Sequence, residues 1–280
     1  MSFKGVLAIR QKGFLWMTKF VLLSIYKCIL LSFEAVGQKI LPSGVHKLSV
    51  LVDNSFSEAS ALHVENDYQS YGGISRGVML EQLPKHYIKQ LHFTPVCKDD
   101  TWYAQLELVI ASLDGKPWKG KVSVSLKGCD DVNENVLYTQ SCSTGAGELV
   151  LKSDLIACEN AKPWAPEHPT LYMLSAQLED EDGKVIDDLT DRVGFREVRT
   201  QGKDILLNGK KLQIKGFCRH EDHPQFGCAL PLSAIMQDLQ LARDMGANSI
   251  RTSHYPNDEL FLDLCDELVF LYGRKTMQEA

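Results

Sequence analysis

Two short polar segments contain side chains that are able to bind a hydroxylated ligand. They are RHEDHP at 219–224 and SHYP at 253–256. An imidazole donates or accepts hydrogen bonds, a carboxylate accepts them, and a tyrosine ring can stack on a ligand face. The proline that ends each segment fixes φ at one position and restricts the loop. The residue types therefore indicate recognition of polar ligand groups.

A metal site and a structural role are the other two interpretations of these segments. Four residues in and around the first segment are of types that bind zinc: Cys218, His220, His223 and Cys228. Pro224 argues against a helix through His223, so this is not the helical H-E-x-x-H motif. In the structural interpretation, His220 and His254 are hydrogen-bonded polar groups at the rim of a barrel. Spacing alone leaves all three interpretations open.

Strands are predicted immediately before both polar segments. QIKGF at 213–217 and NSIRTS at 248–253 have the composition of short buried strands, and VFLY at 269–272 is predicted to begin a third. In parallel α/β folds, ligand sites form at the carboxyl ends of the strands. Both polar segments should therefore lie at the same edge of one sheet.

Helices are predicted between these strands, over 233–246 and 257–268. Ser233 and Asn257 are the predicted N-caps, and Gly246 is the predicted stop of the first helix. The residues predicted to face inward are Ile235, Leu239, Ala242 and Met245 on the first helix and Leu260, Phe261, Leu264, Cys265 and Leu268 on the second. An eight-fold barrel takes about 250 residues, so only its first two or so βα units are expected in this chain.

Residues 45–198 are predicted to form antiparallel strands. TWYAQLELVI at 101–110 and LYMLSAQLED at 171–180 alternate in polarity, which places their apolar residues on one face. Asn208-Gly209 predicts a tight hairpin, because both residue types tolerate positive φ. Short strands separated by turn signals are typical of an antiparallel sandwich.

Composition and net charge limit the classes of function that this chain can have. The chain has 280 residues, of which 44% are hydrophobic and 24% charged, and its formal net charge is −6. This length predicts two or three domains, and the acidic balance argues against nucleic acid as a partner. The eight cysteines are scattered and form no C-x-x-C pair, which favours a reducing compartment. We therefore expect a cytoplasmic protein.

Residues 14–33 are apolar and follow basic residues, which is the outline of a signal peptide or a membrane anchor. Lys19 and Lys27 interrupt this stretch, and a charge inside a bilayer is costly. Buried strands are the favoured interpretation, so no membrane partner is expected. A secreted or membrane-associated protein is the alternative.

Four long motifs follow one another along the chain: PWAPEHPTLYML (163–174), DRVGFREV (191–198), ILLNGKKLQIKGFCRHEDHPQFG (205–227) and GANSIRTSHYPNDELFLDLCDEL (246–268). NDYQSYGGISRGV (66–78) precedes them. In type and order they resemble glycoside hydrolase family 2, the β-galactosidase, β-glucuronidase and β-mannosidase family. The NDYQSYGGISRGV segment resembles the end of that family's sugar-binding domain.

The resemblance implies a multidomain, mainly β architecture. It places a partial sugar-binding jelly-roll domain at 37–95, an immunoglobulin-like β-sandwich at 96–198, and the truncated start of a TIM-barrel catalytic domain at 199–280. Residues 1–36 are unassigned. Cys218 departs from the family pattern, because an asparagine is common at its position.

The resemblance also implies retaining hydrolysis of terminal β-glycosides by a pair of glutamates. Both glutamates are expected beyond residue 280, so the full-length parent would carry the activity and this chain alone would be inactive. The implied substrate-binding residues are Asp67, His220 and His254. Arg251 is expected to support the rim, and Glu221 is a weaker candidate for a sugar contact.

The implied partner is a carbohydrate, a β-galactoside or a β-glucuronide. The sequence identifies no cofactor and no metal ligands of its own, and it leaves a divalent or sodium ion, as well as an oligomer, open for the full-length parent. A non-catalytic carbohydrate-binding or interaction module is the alternative function.

Overall fold

The chain forms two compact units, one of residues 83–213 and the other of residues 1–82 together with 214–280. The computed structural model describes residues 5–11, 14–16, 29–34, 51–53, 71, 75–76, 78–129, 134–145, 147–253, 257–268 and 270–273. Before residue 83, side chains are described for Tyr71, Ser75 and Arg76 only. The predicted jelly-roll domain falls largely outside these residues, and the domain bounds inferred from the sequence stay predictions.

Short antiparallel strands make up the described part of the first 82 residues. They are β1 (Gly5–Gln11), β2 (Phe14–Trp16), β3 (Ile29–Glu34), β4 (Leu51–Asp53) and β5 (Val78–Gln82). β1 lies between β3 and β5, and β2 pairs with β4. The apolar stretch 14–33 thus contains strand at both ends, while residues 17–28 lie outside the described part. None of the helices in the described residues is long and apolar enough to span a bilayer.

Residues 83–213 form the antiparallel sandwich that the alternation predicts. The strands are β6 (His86–Lys98), β7 (Thr101–Ser112), β8 (Trp118–Gly128), β9 (Asn135–Thr144), β10 (Glu148–Lys152), β11 (Ile156–Ala157), β12 (Tyr172–Asp180), β13 (Val185–Val193), β14 (Val198–Gln201), β15 (Asp204–Leu207) and β16 (Lys210–Lys211). In one sheet β7 pairs with β6, β10 and β11, and the other has the order β13-β12-β8-β9. β14, β15 and β16 form a small third sheet.

The core of the sandwich confirms the period-two pattern. The predicted inward residues of β7 and β12 are all buried: Trp102, Ala104, Leu106, Leu108, Ile110, Tyr172, Leu174, Ala176 and Leu178. Near the end of β7 both faces are covered, because Val109 and Ala111 are buried as well. Phe195 is fully buried, and its ring meets those of Phe93, Trp102 and Tyr172 edge-on, with centroids 5.2, 5.8 and 5.3 Å away. Edge-on contacts suit the aromatic quadrupole, so this cluster joins the layers by favourable ring packing.

The predicted hairpin at Asn208-Gly209 is also confirmed. Both residues have positive φ, 49° and 75°, and they join β15 to β16. The Asn208 side chain accepts a hydrogen bond from the backbone N–H of Glu197 at 2.9 Å and donates one to the carbonyl of Trp164 at 2.9 Å. The turn is thereby fixed to the sandwich.

β6 is an edge strand with two unusual features. In the described residues it pairs with β7 alone, and it contains Pro95, opposite Ala104. Its register shifts near Ile88, whose backbone N–H donates to the carboxylate of Asp187 at 2.7 Å. A side chain of the facing sheet thus satisfies one donor of this strand.

The second half of the other unit is the predicted parallel α/β layer. It runs β17 (Gly216–Arg219), α1 (Leu232–Asp244), β18 (Ser249–Thr252), α2 (Glu259–Glu267) and β19 (Leu271–Gly273). β18 lies between β17 and β19 and is parallel to both. Apolar residues between the helices and the sheet form its core: Ile235, Leu239, Ala242, Ile250, Phe261, Leu262, Cys265 and Phe270.

Both predicted N-caps are wrong by one or two positions. Pro231 precedes α1, where its extended backbone and missing N–H suit a helix start, so Ser233 lies inside the helix. Asp258 caps α2, because its carboxylate accepts the N–H of Leu260 at 3.0 Å. The predicted stop at Gly246 is confirmed by its φ of 76°.

Four residues predicted to be buried are exposed. Met245 is 71% exposed because it follows the last turn of α1, where the chain leaves the inward stripe. Leu260 is 41% exposed, since Phe261 and Cys265 already define the inward face of α2. Phe217 is 41% exposed because β17 pairs with β18 alone among the described strands, and Ile214, which precedes β17, is 51% exposed. The strand itself begins at Gly216, later than the predicted 213.

Candidate functional site

The carboxyl ends of β17 and β18 lie side by side. The pairing extends one residue past Thr252, because the N–H of Ser253 donates to the carbonyl of Arg219 at 3.0 Å. The half-buried His220 directly follows β17, and Ser253, fully buried, directly follows β18. The two polar segments therefore begin at the same edge of the sheet, as predicted. His254 lies outside the described residues.

The sheet separates its polar side chains between two faces. Cys218 and Arg251 are paired across β17 and β18, so alternation puts them on one face and Arg219 on the other. Arg219 faces the helices: its Nε and Nη2 donate to Asp238 Oδ2 at 3.0 and 2.7 Å, and its guanidinium lies 4.7 Å from the ring centroid of Phe261. Cys218 and Arg251 lie on the opposite face of the sheet.

The loop after β17 is closed by its own backbone. His223 and Gly227 exchange two backbone hydrogen bonds of 3.0 and 2.8 Å, and the His223 ring stacks on Phe226. The Nδ1 of His223 accepts the N–H of Gln225 at 3.1 Å. His223 thus holds the loop together, and the residues that the structure describes contain no group of three or more metal-binding side chains.

Tyr71 packs against this loop from the N-terminal part of the same unit. Its hydroxyl donates to Asp222 Oδ1 at 2.6 Å, and this hydrogen bond to a carboxylate raises the pKa of Tyr71. A Cβ at Gly227 would lie 2.9 Å from the Tyr71 ring, and Gly227 has a φ of 55°. Gly227 is therefore required both by its backbone conformation and by the close approach of the ring.

Arg76 forms a second contact with the loop, a buried ion pair. Its Nη2 donates to Glu221 Oε2 at 2.7 Å, and the two side chains are 8% and 7% exposed. The other carboxylate oxygen of Glu221 accepts the backbone N–H of Asp258 at 3.2 Å. The Nε of Arg76 lies 3.8 Å from Asp258 Oδ2. Glu221 is thus committed to Arg76 and to the start of α2.

The predicted site residues have different outcomes. His220 stands at the strand end, while Asp67 and His254 lie outside the described residues, so the sugar-binding set stays a prediction. Glu221 is a buried ion-pair partner. Sequence reasoning missed Tyr71 and Arg76, because they are separated from Asp222 and Glu221 by 151 and 145 residues. The one sequence signal for these two residues was their position in the NDYQSYGGISRGV segment.

The thiol of Cys218 should be unusually reactive, because Arg251 Nη1 donates to its Sγ at 3.4 Å. This bond, with a smaller effect of Ser253, lowers the pKa of the exposed thiol. The thiolate is the nucleophile, so Arg251→Gln should raise this pKa and slow alkylation of Cys218 by iodoacetamide several-fold at about pH 7.5. Peptide mass spectrometry gives the rate, with the exposed Cys129 as internal control. Equal rates in both proteins would contradict the assignment.

The structure combines an antiparallel sandwich with parallel βα units that end in polar loops. This combination is typical of multidomain proteins in which an α/β barrel binds its ligand at the carboxyl ends of its strands. Two family models match this chain: "Glycosyl hydrolases family 2" over residues 86–196 and "Glycosyl hydrolases family 2, TIM barrel domain" over 198–279. The chain belongs to glycoside hydrolase family 2.

Similar proteins include several glycosidases. The chain is 32% identical over 239 residues to a putative β-glucuronidase of Formosa agariphila, covering 82% of this chain and 27% of that protein. A β-galactosidase of Pseudoalteromonas haloplanktis is 31% identical, with 82% of this chain and 22% of the relative covered. This chain therefore spans about a quarter of the length of these relatives.

A solved structure is more similar. The β-galacturonidase of Eisenbergiella tayi, crystallised with galacturonate, is 48% identical and superposes with a TM-score of 0.84. The match covers 97% of this chain and 48% of that chain. The mainly β fold with the first βα units of a barrel is thus that of known family 2 glycosidases.

Proposed function

We propose that this chain supplies part of the sugar-binding site of a retaining β-glycosidase, and that the sugar is a β-linked uronic acid. The two catalytic glutamates are proposed to lie outside residues 1–280. The observation that carries this proposal is the edge at which β17 and β18 end together. His220 lies at this edge. Asp222 and Glu221 of the same loop bond to Tyr71 and Arg76, which follow Asp67 in the sequence.

Residue chemistry supports a sugar ligand at this edge. A carboxylate and two imidazoles make directional hydrogen bonds to hydroxyl groups, and such bonds can strengthen as charge develops at the anomeric carbon. Asp67, His220 and His254 are the residues proposed for these bonds. They would hold and orient the sugar, while the glutamates would perform the bond cleavage.

The choice of a uronic acid rests on two relatives. The Eisenbergiella tayi protein is a β-galacturonidase bound to galacturonate, and the Formosa agariphila protein is named a putative β-glucuronidase. The similarity to a β-galactosidase keeps a neutral galactoside as the alternative sugar. Galacturonate and galactose differ only in the C6 group, so a comparison of the two tests the carboxylate directly.

Binding and turnover of the 280-residue chain test this proposal. Calorimetry should detect saturable binding of galacturonate or glucuronate that is stronger than that of galactose and is lost in Asp67→Ala and His220→Ala. Aryl β-galacturonide and aryl β-glucuronide should not be hydrolysed. Turnover that disappears when a glutamate within 1–280 is replaced would contradict the proposed location of the catalytic glutamates.

A chimera distinguishes a glycosidase from a non-catalytic binding module. Residues 1–273 would be continued by the remainder of the Eisenbergiella tayi chain. This protein should hydrolyse aryl β-galacturonides, with activity lost in Asp67→Ala. A folded chimera that binds galacturonate but shows no hydrolysis would favour the binding module.

A further inference from the structure

Two contacts tie the segment 71–76 to the loop after β17. The Tyr71 hydroxyl bonds to Asp222, and the Arg76 guanidinium pairs with Glu221. Glu221 and Asp222 are consecutive residues of this loop, and they directly follow His220. The two contacts differ in burial: Asp222 is exposed, whereas Arg76 and Glu221 are both more than nine-tenths buried.

Glu221 connects a third segment. Its Oε1 accepts the N–H of Asp258, the N-cap of α2, while its Oε2 accepts from Arg76. One carboxylate thus holds the N-terminal segment and the start of α2 at the same time. A buried charge pair of this geometry has little freedom, because burial has already removed the hydration of both charges and separation would leave each one without compensation.

Each proposed sugar ligand is close in sequence to this cluster. His220 adjoins Glu221, Asp67 precedes Tyr71 by four residues, and His254 precedes Asp258 by four. Four residues span at most about 14 Å even when fully extended. Fixing the cluster therefore limits where all three ligands can lie relative to one another.

We propose that Arg76 and Glu221 are positioning residues for the sugar site. Their ion pair holds three parts of the chain in one arrangement: Arg76, nine residues after Asp67; the loop that begins with His220; and the start of α2, four residues after His254. It contributes to sugar affinity through these residues and without touching the sugar. The proposal rests on the proposed function, since it takes Asp67, His220 and His254 as the sugar ligands.

Calorimetry with galacturonate on the 280-residue chain tests the proposal. Arg76→Met should weaken binding at least ten-fold. Arg199→Gln is the matched control, because Arg199 also pairs with a glutamate at 2.6 Å but is 64% exposed and lies in the sandwich unit. Equal affinities of the wild type and Arg76→Met, or equal losses in the two variants, would overturn the proposal.

A double variant separates positioning from stability. In Arg76→Met with Glu221→Gln both charges of the pair are removed, and the amide oxygen can still accept the N–H of Asp258. Thermal stability should recover relative to Glu221→Gln alone, whereas galacturonate affinity should stay low. Recovery of affinity together with stability would show a merely structural role.

Hydrogen exchange gives a readout that needs no sugar. The amides of His223, Gly227 and Asp258 are hydrogen-bonded in this region, and they should exchange at least ten-fold faster in Arg76→Met than in the wild type, with no change in Arg199→Gln. If the wild-type chain binds no galacturonate, the proposed function fails while this exchange still decides whether the ion pair fixes the segments. Unchanged exchange in Arg76→Met would overturn the inference.

Discussion

Glu221→Gln should lower the free energy of unfolding by about 3 kcal/mol, the lower end of the range for removing one partner of a buried ion pair. The side chain of Arg76 is only 8% exposed, and the substitution would leave its charge without the carboxylate partner. Asp258, whose Oδ2 lies 3.8 Å from Arg76 Nε, offsets part of the loss. The effect is large because the Arg76 charge stays buried without a partner. The intact pair itself contributes little net stability.

Urea unfolding followed by circular dichroism at 222 nm measures this effect. Within the described residues both helices, α1 and α2, belong to the same unit as Glu221, so this signal reports on it. Replacing Arg76 by Met in the same protein should restore most of the stability. A loss below about 1 kcal/mol in Glu221→Gln, as is typical of an exposed pair, would contradict the burial of this contact.

Phe195→Ala should destabilise the sandwich by about 3–5 kcal/mol. The ring is fully buried and makes edge-on contacts with Phe93, Trp102 and Tyr172. Its removal leaves a cavity between layers that rigid rings surround, and such rings can close it only in part. The aromatic contacts are lost in addition to the buried area.

Tryptophan fluorescence during urea unfolding reports mainly on this unit, because three of the four tryptophans lie in it, at positions 102, 118 and 164. Val136→Ala is a control within the same sandwich, since Val136 is 68% exposed and its truncation should change stability by less than about 0.5 kcal/mol. If Phe195→Ala lowered stability no more than this control does, the central position of the ring would be wrong.

The sequence predicted those features that depend on neighbouring residues. Alternation along β7 and β12, the Asn208-Gly209 turn and the order of strands and helices after residue 214 follow from local patterns, and the structure confirms them. The start of α2 was missed because Asn257 and Asp258 are adjacent polar residues and either could cap the helix. The start of α1 was missed because Ser233 is the polar residue closest to it, whereas the helix begins directly after Pro231 without a side-chain cap.

The ion pair of Arg76 and Glu221 could not be predicted in the same way. A separation of 145 residues leaves no periodicity or spacing that pairs them, and Glu221 looked like a candidate sugar contact. Its burial and its second bond, to the backbone of Asp258, assign it a different role. Cys218 shows the same limit, since its lowered pKa depends on Arg251 of the neighbouring strand.

The edge strand β6 has a consequence for how this protein behaves at high concentration. An unpaired edge offers backbone donors to strands of other molecules, which is a common route to aggregation. Proline is tolerated in a strand where its missing N–H would point away from the neighbouring strand, so Pro95 leaves a gap in the outer row of donors. The Asp187 carboxylate occupies another donor, the N–H of Ile88. Intermolecular sheet extension along β6 is therefore discouraged, which protects the sandwich while it refolds among its own copies.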